Sequence, residues 1–76
     1  MNKYYVVEIQ GSQGGTFAYL VHEAQDNDPD IALQKGESVY YQVLAAAAIS
    51  TLPVHSAILF DAEGNPKMNK SYKHGS

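Results

Sequence analysis

Between two pairs of strand-type segments the chain carries a single long helical stripe, built of unusually small residues. From Ile31 to about Thr51, the residues Ala32, Gly36, Val39, Tyr40, Val43, Leu44 and Ala47 recur at the spacing of one helix face. The run Ala45-Ala46-Ala47-Ala48 combines high helix propensity with little bulk, so the helix can lie close against a sheet. Gly36 weakens a helix interior by about 0.5–1 kcal/mol relative to alanine, which marks either a close backbone contact or a small break. The start is also written in the sequence. Asp28 can cap the free amides of the first turn, Pro29 suits the first helical position, and Asp30 favours the positive end of the dipole. Pro53 cannot continue the helix and biases Leu52 out of helical geometry.

The flanking segments read as strands. Tyr4 to Gln10 is dense in aromatic and β-branched residues, with Tyr5, Val7 and Ile9 on one face and Tyr4, Val6 and Glu8 on the other. Gly11-Ser12-Gln13-Gly14-Gly15 is a turn, and Thr16 to Glu23 returns as a second strand, making a hairpin. Ala24 to Asp28 is a polar break before the helix. Val54 to Asp61 is a third strand and Ala62-Glu63-Gly64-Asn65-Pro66 a turn cluster. Lys67 to Lys73 then reads as a lysine-guarded edge strand. His74-Gly75-Ser76 reads as a frayed end. The fold class is therefore α+β: one domain over residues 1–76, order ββαββ, with a long helix on a four-stranded antiparallel sheet. The spatial strand order expected is 2-1-3-4.

Size and charge narrow the function. A 76-residue chain buries only ~60% of the surface its unfolded form exposes, so its core supplies roughly 3–5 kcal/mol. The chain has no cysteine, which removes disulfides, thiolate metal sites and a cysteine nucleophile. Self-association is the remaining source of stability, so a homo-oligomer is expected. Five lysines, no arginine and a net charge of −3 argue against nucleic acid. No stretch approaches the ~18 apolar residues of a membrane span, and the expected compartment is the cytoplasm.

No reactive set is legible. Asp26, Asp28, Asp30 and Glu37 follow part of a calcium-loop spacing, but Ile31 stands where the loop needs glycine and Pro29 starts a helix within it. His22, His55 and His74 lack the short spacings that place two metal ligands on one helix face. Ser56 beside His55 does not make a nucleophile and base, because adjacent strand residues point to opposite faces. A small hydrolase would require His22, His55 and a carboxylate to converge. The expectations are no enzyme activity, no cofactor and no metal.

Six tyrosines and two phenylalanines exceed what a one-helix core hides. Tyrosine is enriched at interfaces, since it joins a large apolar body to a hydrogen-bonding tip. Tyr4, Val6, Tyr19, Tyr41 and Tyr72 are the candidate interface residues, with an uncovered sheet face as the dimerisation surface. A pocket between helix and sheet, or the acidic segment from Asp26 to Glu37, would instead serve a ligand- or metal-binding module.

Three segments also carry a resemblance. Lys3-Tyr4-Tyr5-Val6-Val7-Glu8-Ile9-Gln10, Leu44-Ala45-Ala46-Ala47-Ala48-Ile49-Ser50 and Val54-His55-Ser56-Ala57-Ile58-Leu59 resemble a group of small uncharacterised proteins. That group is encoded by phages and prophages of Gram-positive bacteria, often near tail and lysis genes. The resemblance implies an accessory phage protein, virion-associated or assembly-related, whose partners are phage structural or host proteins. It brings no activity and no site residues.

Overall fold

A computed structural model describes residues 1–12, 15 and 17–74. Four strands and one helix follow in the order β1 (Asn2–Gly11), β2 (Phe17–Asp26), α1 (Pro29–Ala48), β3 (Val54–Asp61) and β4 (Pro66–Lys73). The strands form a single antiparallel sheet of order β2-β1-β3-β4. The fold is thus α+β, with one helix packed on a four-stranded antiparallel sheet. The hairpin is longer than its sequence suggests: Ala24 to Asp26, expected as a break, still pairs with Tyr4 to Asn2. Thr16, expected to open the second strand, lies outside the described residues. So do Gln13 and Gly14 of the preceding turn.

Local chemistry fixes the connections. The Asp28 carboxylate accepts from the amides of Asp30 and Ile31 at 2.8 and 3.4 Å, capping α1 with Pro29 in its first turn. The helix stops at Ala48, before the expected Thr51; Ser50 donates its amide to the Ala47 carbonyl, and its hydroxyl accepts from Leu52 N–H at 3.0 Å. In the β3–β4 turn the Asp61 carboxylate accepts from the amides of Glu63 and Asn65, and Gly64 takes a φ of 85°. A bulge between Leu59 and Phe60 shifts the register of β4.

The helix crosses the sheet diagonally. Near its start, Lys35 bonds the Gln25 carbonyl and the Asp26 carboxylate at the end of β2. At its middle, Gly36 lies so close to the sheet that an added Cβ would meet Tyr4 Cβ at 2.9 Å and a Leu59 methyl at 3.2 Å. Gly36 is therefore a close-approach glycine within an unbroken helix. At its end, the Ala47 carbonyl accepts from His74 Nε2 at 2.7 Å, beyond the end of β4. His74, expected to fray, is thereby anchored; its N–H also bonds the Pro53 carbonyl and its ring stacks on Tyr72. Gly75 and Ser76 lie outside the described residues. The core between the layers holds Val6, Tyr40, Val43, Ala57 and Leu59, with Tyr4, Leu33, Val39, Leu44 and Met68 packed against it.

Candidate functional site: an open apolar sheet face and a buried histidine–glutamate–histidine cluster

The pairing registers divide the sheet into two unlike faces. Side chains opposite one another in adjacent strands share a face. On one side the rows are Val21–Val7–Ile58, Tyr19–Ile9–Ser56 and Glu23–Tyr5–Phe60, with Phe17 at the hairpin end. Eight large apolar side chains stand there, and among the described residues no helix or strand lies over them. Tyr19 and Val21 are each 65% exposed and Phe17 50%, whereas Tyr5, Val7, Ile9, Ile58 and Phe60 are half-buried. A shallow groove of about 330 Å³ runs along the β3–β4 side of the sheet, where Ile58, Phe60 and Pro66 meet the polar residues Ser56, Asn69, Lys70 and Ser71.

The helix covers the other face, and this is the less apolar of the two. Its rows include His22–Val6–Leu59–Met68 and Leu20–Glu8–Ala57–Lys70. One of the candidate interface residues, Val6, is corrected by its burial, and the other four divide between different surfaces. Val6 is fully buried beneath the helix, and Tyr4 packs on the core at Gly36. Tyr72 is on the same face, stacked on His74 with the Lys70 ammonium 5.6 Å from its ring. Tyr41 is exposed, but on the outer surface of α1, in edge-to-face contact with Tyr40. Tyr19 alone of the five stands on the open sheet face. The period of a strand governs this: turning the other face of β1 to the helix would exchange all of its side chains at once.

Glu8, at the centre of the covered face, is buried between two imidazoles. His55 Nε2 lies 2.6 Å from Glu8 Oε2 and His22 Nε2 lies 3.0 Å from Oε1; the Gln10 amide donates to Oε2 at 3.3 Å. The hydrogen bonds require Nε2–H on both rings, a tautomer assigned from this network. His55 is buried, and among the described residues its Nδ1 is the one buried side-chain polar atom with no hydrogen-bond partner. Burial raises the Glu8 carboxyl, but the hydrogen bonds from His55, His22 and Gln10 and the charge of His55 outweigh it. The carboxyl therefore lies below its ordinary value.

This cluster brings together His22, His55 and a carboxylate, the residues that the hydrolase reading required. Each imidazole donates to a separate oxygen of one carboxylate, so the nitrogens point at the carboxylate, not at a shared point in space. Among the described residues no group of three His, Asp or Glu side chains could hold a metal ion. Ser56 faces the opposite side of the sheet from His55. The acidic residues of the calcium-like spacing also have local partners: Asp26 accepts from Asp28 N–H and pairs with Lys35, and Asp28 caps the helix. Sequence reasoning named the two histidines but not Glu8 as their carboxylate, yet the registers encode it. Glu8 pairs with Leu20 and Ala57, which makes His22 and His55 its diagonal neighbours on the same face.

Among the described residues no helix is long and apolar enough to cross a membrane. Comparison with known proteins returns no match: no family model, no curated protein and no solved structure matches the chain.

Proposed function

We propose that the protein is a non-enzymatic, self-associating interaction module, an accessory protein of phage or prophage type, and that a second copy covers the open sheet face. One observation carries this reading: the more apolar face of the sheet is the one its own helix leaves open. A monomer built for solvent would place its helix on that face and turn Glu8, His22 and His55 to water. Instead the chain buries a carboxylate and an imidazole, which need partners when taken from water, and leaves eight large apolar side chains outside. An exposed apolar surface of this kind marks an association site. A second copy is the occupant that a small domain favours, because association adds the burial that its single core lacks. The buried cluster then acts as a specificity device, fixing β1, β2 and β3 in one register.

The test is sedimentation of the wild-type chain over a wide concentration range. The expected result is a reversible rise in weight-average mass from the 8.3 kDa monomer to at least twice that value. A mass that stays at the monomer value to millimolar concentration would overturn the reading.

A further inference from the structure

The two edges of the sheet are unlike, and the difference identifies a second contact. β4 ends the sheet with Pro66, Lys67, Lys70 and Lys73, residues that discourage another strand from pairing. β2, the other edge, has ten residues without a lysine or a proline. Its first half is exposed on both faces: Phe17, Tyr19 and Val21 on the open side, Ala18 and Leu20 on the helix side, where Leu20 remains 44% exposed. The diagonal path of α1 explains this, since the helix begins at the far end of β2 and moves away toward β4. Covering the open face leaves Leu20 and the unpaired backbone of β2 in water.

We infer that β2 pairs antiparallel with β2 of another copy, joining two sheets into one of eight strands. The inference rests on the self-association reading and adds the partner's position and register. The pleat admits only pairings in which opposed residues lie on the same face. Lys35 occupies the Gln25 carbonyl and pairs with Asp26, which guards the end of the strand and leaves Phe17 to Glu23 free to pair. The midpoint of that stretch is Leu20. A two-fold axis there sets Leu20 against its own copy, Tyr19 against Val21 and Phe17 against Glu23, with no like charges opposed. Leu20, 44% exposed, is the large apolar side chain that this contact buries in addition to those of the open face. The backbone ladder adds to it. With the face contact as a second two-fold, the closed assembly is a tetramer.

Amide hydrogen exchange of the wild-type protein, at concentrations where it is associated, tests this directly. In a lone edge strand only alternate amides bond to β1. The expected result is slow exchange at both sets of amides from Phe17 to Glu23, with the outward set speeding up on dilution. Leu20→Lys, at an already exposed position, is expected to keep the fold, lose the outward protection and lower the mass. An associated protein whose outward β2 amides exchange freely, with Leu20→Lys unchanged in mass, overturns the edge contact and leaves self-association through the face standing. A strictly monomeric protein overturns both.

Discussion

Val6→Lys is expected to unfold the protein, whereas Val7→Lys, one residue further on, is expected to leave it folded and weaken its association. The two positions differ only in the face of β1 they occupy. Val6 is fully buried between His22 and Leu59 beneath the helix. An ammonium there, without a partner, costs on the order of 5 kcal/mol. That equals or exceeds the roughly 3–5 kcal/mol a core of this size supplies. Val7 lies between Val21 and Ile58 on the open face, where a lysine tip reaches water in the monomer. Loss of β propensity there costs ~1 kcal/mol or less. At the centre of a covered face, the same lysine weakens the contact by ~2 kcal/mol or more, about 30-fold. Circular dichroism separates the first outcome, and sedimentation at matched concentration the second. Equal unfolding by both variants would show that the two faces are equally buried within one chain, contrary to the account.

Glu8→Ala is the second large effect expected. It removes the acceptor for His55, His22 and Gln10 together, and leaves both ring nitrogens of the buried His55 without partners. Unsatisfied buried donors and the small cavity together cost about 2–4 kcal/mol, read from urea unfolding. Glu8→Gln keeps the shape and one acceptor, so it is expected to cost less. The same pair yields a pH test. Because the folded Glu8 carboxyl lies below its ordinary value, its contribution is complete above about pH 4.3 and is lost as pH falls through the folded value. Asp26 and Asp61 are shifted in the same direction by their backbone hydrogen bonds, so wild type loses stability in acid through several groups. Stability curves between about pH 3 and 6 are expected to fall less steeply for Glu8→Gln than for wild type. Identical slopes would mean that Glu8 is not held ionised by the histidines.

The elements of this fold were legible because each depends on a few neighbouring residues. The Asp28-Pro29 start of the helix, the Val54–Asp61 strand and the turn around Gly64 follow from capping, β-branched density and positive φ. The order 2-1-3-4 followed from having one helix and two hairpins to join. Which face of β1 meets the helix was not legible. Alternation offers two assignments, and the apolar set Tyr5, Val7 and Ile9 is the better core on composition alone. The packing turns on Gly36, whose missing side chain admits Tyr4 and Leu59, a contact across 32 and 23 positions of chain. The cluster was hidden for the same reason. Glu8, His22 and His55 are 14 and 47 positions apart, and they meet only once both registers of β1 are set. His74 reads as a loose end in the sequence because its two anchors, Ala47 in α1 and Pro53 in the connection before β3, are 27 and 21 positions away.

The central claim is that another copy covers the open sheet face, and a mixed sample of isotope-labelled and unlabelled chains tests it most directly. Filtered NOE spectra register only contacts between copies. The account predicts intermolecular contacts at the methyl groups of Val7, Ile9 and Ile58, with none at Val6 or Leu59. Intermolecular contacts confined to the helix surface around Tyr41, or none at Val7 and Ile58 in an associated sample, would contradict it.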